Sequence, residues 1–201
     1  MPYKFIFFAF AFLISLSIFT YTRNAIWHTD IILWNDAIRK SPEKARVHNE
    51  LGLVYLRAKL VDNALSEFLI AVRLRPEHAK AHNNLGILYQ EKGLLDEAIK
   101  ELKIAIDLQP NNDKPHNNLG LAYYKKNMLD EAVKEFQTAL RIKPDSANAH
   151  ANLGLAYYEK GFIDDAVKEY EIALRLNPDN YELYLNLADL HRKKGTGGDV
   201  K

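Results

Sequence analysis

Cysteine is absent from the 201 residues, and with it disulfides, thiolate metal sites and thiol catalysis. A charge excess is lacking too. Lysine and arginine number 27 against 26 acidic residues, so no strongly basic balance points to nucleic acid. No P-loop, nucleophile elbow, HExxH or glycine-rich dinucleotide turn occurs, and the acidic residues sit mostly among lysines as a solvated surface would. The chain is therefore expected to be non-catalytic, with no cofactor and no metal. Glycine and proline are scarce, nine and seven, but most of them fall at regular places.

Long apolar runs are also lacking, with one exception. "FIFFAFAFLISLSIFTY", Phe5 to Tyr21, carries no charge and is flanked by Lys4 and Arg23. As a helix it would span about 25 Å, the lower end of what crosses a bilayer. Beyond Ser15, Ser17 and Thr20 it has no polar face, which argues against a helix buried in a soluble core. Residues 1–24 are expected to be a membrane anchor, with Tyr3, Tyr21 and Trp27 at the interfaces. A cleaved signal peptide, with its site near Ser15-Leu16-Ser17, stays open as the alternative. Lys4 favours an inside amino terminus, whereas Arg23, Arg39 and Lys40 argue the other way.

From Ala45 on the chain is periodic. Gly52, Gly86, Gly120 and Gly154 are evenly spaced, each after a leucine and each followed by a tyrosine at the same offset, Tyr55, Tyr89, Tyr123 and Tyr157. Ala64, Ala98, Ala132 and Ala166 recur in register. So do the bulky Phe68, Leu102, Phe136 and Tyr170, and then Ala71, Ala105, Ala139 and Ala173. Pro76, Pro110, Pro144 and Pro178 close each unit. Each unit reads as two amphipathic helices that cannot bury an apolar face alone, so the units must stack. Gly93, Gly161 and Gly195, with Asn127 in the same slot, suit the left-handed turn between the halves. Lys59 departs from that pattern and predicts a less regular first turn. Asp62, Asp96, Asp130 and Asp164 suit the start of each second helix as caps or as charges.

These recurring positions resemble the tetratricopeptide repeat. The resemblance implies an all-α, right-handed α-solenoid of helix hairpins. Four full repeats cover 45–78, 79–112, 113–146 and 147–180, followed by a capping helix over 181–195 and a flexible tail over 196–201. In the capping helix Tyr184, Leu187 and Ala188 take the slots of the repeated His, Leu and Gly, and Asp189, Arg192, Lys193 and Lys194 predict a polar, solvating helix. Upstream, Trp34, Ala37 and Pro42 fall at the Phe68, Ala71 and Pro76 slots, so residues 25–44 read as a degenerate half repeat.

His48, His82, His116 and His150 recur with the same period. Stacked helices lie about 8–10 Å apart, too far for ring nitrogens to share a metal at about 2 Å, so they are expected to pack between helices. His78, shortly after Pro76, is expected in a loop.

Asn84, Asn118, Asn152 and Asn186 each stand just before the Leu-Gly pair (Leu187-Ala188 in the last), with Asn49, Asn83 and Asn117 beside the ladder. The ladder resembles the peptide-holding asparagines of the O-linked N-acetylglucosamine transferase repeats, which line the concave surface. That implies a groove for an extended segment of a protein partner, walled by Leu53, Ile87, Leu121, Leu155, Tyr124 and Tyr158. A carboxamide suits the task because it both donates to and accepts from a peptide group. A purely structural role for the asparagines stays open. A clamp for an acidic carboxyl terminus is not expected, because its Asn slot holds Leu53, Ile87, Leu121 and Leu155, and its Lys slot holds Asn49.

The stretch from Tyr21 to Gly52, through Arg23, Trp27, Trp34 and Ser41-Pro42, resembles the membrane exit of bacterial polytopic, mannosyltransferase-like proteins that end in such repeats. That kinship implies a single-pass protein with extracytoplasmic, periplasmic repeats. The expected function is thus a membrane-tethered protein-binding module. An accessory part of a membrane glycosyltransferase system and a self-associating scaffold are the alternatives.

Overall fold

The computed structural model describes residues 30–195, and among them there are helices and no strands. Helix α1 occupies residues 30–40. It is followed by α2 (Ala45–Arg57), α3 (Val61–Leu74), α4 (Ala79–Glu91), α5 (Leu95–Leu108), α6 (Asp113–Lys125), α7 (Leu129–Ile142), α8 (Ala147–Glu159), α9 (Ile163–Leu176) and α10 (Tyr181–Gly195). The expected anchor and the tail over 196–201 lie outside the described residues. No described helix is long and apolar enough to cross a membrane. The chain divides into two compact units, one up to Ala81 and one from His82 onward.

Within each unit the hairpin closes on one contact. A Cβ at Gly52 would lie 2.5 Å from the Phe68 ring, and one at Gly120 would lie 2.5 Å from the Phe136 ring. At Gly86 and Gly154 the same atom would meet Leu102 and Tyr170 at 2.6 Å. Only glycine lets the bulky side chain of the second helix reach the backbone of the first. The Ala64, Ala98, Ala132 and Ala166 slots are completely buried beside it. In the second unit Leu102, Leu119, Tyr123, Phe136 and Leu153 form one cluster from α5 to α8. Tyr170, Leu174, Leu183 and Leu190 form another between α9 and α10, and Tyr157 packs against both.

The repeated histidines do more than pack. His48, His82, His116 and His150 each place Nδ1 2.6–2.7 Å from a glutamate Oε2 on the second helix, in Glu67, Glu101, Glu135 and Glu169. Nε2 of His48 and of His150 lies 2.9 Å from the carbonyl oxygen of Pro42 and Pro144. A backbone carbonyl only accepts, so Nε2–H donates to it. The Nδ1 contact then needs a proton of its own, on the ring or on the carboxyl group. In every hairpin the pair ties the first helix to the second, and at His48 and His150 the ring also ties it to the preceding proline. His78 stands just before α4, where its Nδ1 accepts from the Ala81 N–H at 3.1 Å, and burial lowers its pKa from the ordinary histidine value.

The geometry corrects two expectations and decides a third between its alternatives. Lys59 turns with φ 61°, as left-handed as Asn127 at 60°, Gly93 at 75° and Gly161 at 80°. The closing bonds match as well: Leu60 donates to Tyr55 O, Leu94 to Tyr89 O, Met128 to Tyr123 O and Phe162 to Tyr157 O, all at 2.8–2.9 Å. The first turn is therefore as regular as the rest, because packing of both helices imposes it, and Gly195 belongs to α10 rather than to such a turn. Second, the N-caps are Leu60, Leu94, Met128 and Phe162, whose side chains accept nothing. The aspartates sit inside the first turn, where their charge faces the helix dipole. Asp96 and Asp130 also pair with Lys126 and Lys160, one repeat onward. Third, α10 is not a uniformly polar cap, since Tyr181, Tyr184 and Leu185 stand exposed on it.

Two consequences are measurable. Lys59→Gly relieves a left-handed lysine and should stabilise the protein by about 1 kcal/mol, seen as a higher urea midpoint. Glu135→Ala leaves the His116 Nδ1 without its acceptor in a buried site and should cost about 1–3 kcal/mol in the same titration.

Candidate functional site

The expected groove residues occupy the first helix of each hairpin, and the structure treats them unequally. Asn49 is buried, with Nδ2 3.3 Å from Glu50 Oε1, so it offers little to a ligand. Leu53, on the same helix, is half-buried. In the second unit Asn83, Asn84, Asn117, Asn118 and Asn152 are half-buried, as are Ile87, Leu121, Leu155, Tyr124 and Tyr158. Asn186 is exposed.

The asparagines bond to one another across successive repeats. Asn118 donates Nδ2–H to Asn83 Oδ1 at 2.9 Å, and Asn152 donates to Asn117 Oδ1 at 3.0 Å. Gln90, buried beside them, donates to the Asn118 backbone oxygen at 2.8 Å. These bonds fix the spacing of the carboxamides. Each uses one of two N–H groups of the donor and one lone pair of the acceptor, so the amides keep further bonding capacity.

At the carboxyl-terminal end the row opens into a cleft of about 180 Å³. Ala151, Asn152 and Leu155 of α8 form one wall, and Glu182, Leu183 and Asn186 of α10 form the other. Tyr170 of α9 lies between them, and Asn180 stands at the edge. Of the expected groove residues, Asn152, Leu155 and Asn186 line this one cleft, whereas Leu53 and Asn49 belong to a different unit. Asn180 has a second task, because its Oδ1 accepts from the Leu183 N–H at 3.1 Å and caps α10.

Tyr170 and Asn180 were missed by sequence reasoning. The available signal was a tyrosine in a slot otherwise filled by Phe68, Leu102 and Phe136, since a hydroxyl in a core slot needs a polar exit. Burial, with the nearby Tyr124 and Tyr158 phenols and the Glu159 carboxylate, pushes the Tyr170 phenol up to about 12. Burial and Glu159, whose Oε1 accepts from the Tyr124 hydroxyl at 3.4 Å, also raise Tyr124 above its usual value. Glu182 is the one charged residue lining the cleft, and Glu159 stands near Tyr124 and Tyr170.

Among the described residues no three metal-ligating side chains cluster. Comparison with known families settles the architecture. A model described as TPR repeat matches residues 91–127, 122–161 and 156–195, more than half of the chain, and one described as Tetratricopeptide repeat matches residues 33–76. The chain belongs to the tetratricopeptide-repeat family. The crystal structure of MamA is similar, at 26% identity over 79% of this chain and 93% of that one, with a TM-score of 0.68. Pseudomonas aeruginosa pilF is 26% identical over 76% of this chain and 69% of its own, with a TM-score of 0.71. The first TPR of Spaghetti (RPAP3), bound to the HSP90 peptide SRMEEVD, is 25% identical over 58% of this chain and 93% of that one, with a TM-score of 0.57. No match is found among curated proteins. The tetratricopeptide assignment makes protein recognition the general role of the fold.

The Tyr170 phenol gives a pH test. Its folded value of about 12 lies above the ordinary 10.0, so the folded state holds its proton where the unfolded chain has lost it. Stability from this group is complete below pH 10 and declines as pH rises toward 12. Tyr170→Phe should remove that part of the decline, measured as urea midpoints against pH for both proteins.

Proposed function

We propose that the protein is a non-catalytic binding module whose first-helix face holds an extended, neutral or basic segment of a partner protein. The observation that carries this is the row of asparagines bonded side to side, Asn83 to Asn118 and Asn117 to Asn152, leading into the cleft at Asn186. Carboxamides at fixed spacing pair with peptide groups whatever the side chain, so the grip is sequence-tolerant. Each bond contributes about 0.5–1.5 kcal/mol net, so the row supplies a few kcal/mol before ordering costs and gives micromolar or weaker affinity until the leucines and tyrosines add apolar contact. The Spaghetti repeat in its complex holds an acidic peptide, SRMEEVD. Here Glu182 lines the cleft, and no lysine or arginine does, so an acidic segment is the wrong cargo.

The same proposal places the module on a membrane. In this reading the run Phe5 to Tyr21 is the tether, and the resemblance of Tyr21 to Gly52 to the membrane exit of mannosyltransferase-like proteins supports repeats on the extracytoplasmic side. Partners are then proteins of a membrane complex.

The full chain in detergent, titrated with a library of fluorescent peptides, tests the groove. Asn152→Ala with Asn186→Ala should weaken binding of neutral and basic peptides about tenfold with helicity unchanged. Undiminished binding in that folded variant, or preference for acidic peptides, would sink the proposal.

A further inference from the structure

The four hairpins share a His–Glu pair, and the two ends of the repeat array lack it in a matched way. One period after His150 stands Tyr184, and one period before Glu67 stands Leu33. Both positions of the His–Glu pair have lost their charged or ring-nitrogen groups, one on a first-type helix and one on a second-type helix. Both are open to solvent, Tyr184 by 47% and Leu33 by 61%, in slots where the internal residues are buried or half-buried. Tyr181 at 73% and Leu185 at 55% extend the apolar face of α10 on the same side. On α1, Trp34 and Ala37 are only half-buried, whereas Phe68 and Ala71 in the same slots are fully buried. Among the described residues α10 packs on α9 but is a first helix without the second helix of its own hairpin, and α1 is a second helix without the first helix of its own.

We propose that these faces cover each other between molecules: α1 of one copy seats on α10 of a second, completing a hairpin head to tail, with Leu33 against Tyr184 where the internal hairpins place their His–Glu pair. Net charge favours the antiparallel arrangement that internal hairpins use. It brings the end of α1 with Arg39 and Lys40, which share the one carboxylate of Asp36 and so keep a net positive charge, beside the acidic start of α10, Asp179 and Glu182. At the other end Asp30, which pairs with Arg57, comes beside the turn of α10 where Arg192 pairs with Asp189. Parallel placement would set acid against acid. Ala188 holds a methyl group where Gly52 and Gly120 admit a ring, so Trp34 seats farther out than Phe68 does and the association is weaker than an internal hairpin. The interface is heterologous, so each copy keeps one free end for another. This inference goes beyond the groove and does not depend on it.

The cysteine-free chain makes the test direct. Full-length Leu33→Cys and Tyr184→Cys proteins, in detergent, are oxidised separately and as a mixture. The proposal expects a disulfide-linked dimer in the mixture, several-fold more abundant than in either protein alone. It also expects that Leu33→Glu lowers self-association in sedimentation at least tenfold, and that adding Tyr184→His to it restores association by rebuilding the internal pair. A Tyr184→Cys dimer with itself would overturn the proposal in favour of a symmetric α10 contact. No cross-link in the mixture, or Leu33→Glu without effect, would overturn it in favour of another cover for α10.

Discussion

A missing side chain holds this protein together. At Gly52, Gly86, Gly120 and Gly154 the bulky residue of the second helix lies where a Cβ would have to be, and the interaxial distance of every hairpin follows from that contact. The buried alanines at Ala64, Ala98, Ala132 and Ala166 keep the same spacing along the second helix. Because such contacts are steep in distance, they define the hairpin geometry more sharply than general apolar burial does.

Given that spacing, the polar groups inside the hairpin have few options. A histidine on one helix and a glutamate 19 residues later meet at 2.6–2.7 Å in all four repeats. In a region this buried the pair contributes chiefly by specificity, since a slipped or misphased hairpin would leave a polar ring and a carboxylate without partners. The terminal half repeats have no such constraint and carry Tyr184 and Leu33 instead. The difference between interior and ends is thus chemical as well as positional.

The asparagine row is a structural feature on which the proposed binding role rests. Asn118 and Asn152 bond to Asn83 and Asn117 of the preceding repeat, which orders the carboxamides without exhausting them. Their positions on the first helices were legible because the repeat period sets one slot per unit. The side-to-side bonding was not legible, because it joins residues 35 apart in sequence through the stacking of neighbouring repeats. Nor was the cleft at Tyr170 and Asn180, which exists only where α8, α9 and α10 meet. The burial of Asn49 escaped for a similar reason: its slot matches Asn83 and Asn117, but its surroundings do not.

By itself the sequence determined the hairpin period, the glycine and alanine slots, the proline breaks and the family, since recurrence at a fixed interval records one supersecondary unit copied along the chain. Local pattern failed where neighbours outside the unit decide the outcome. Lys59 takes a left-handed turn because both flanking helices are already fixed by packing, although lysine itself disfavours that geometry. The glutamate partners of the histidines, the bonds between asparagines and the open face of α10 were likewise decided by tertiary structure. Each depends on which helix lies opposite, and helix faces a full turn or a full repeat apart come together only when the chain is packed.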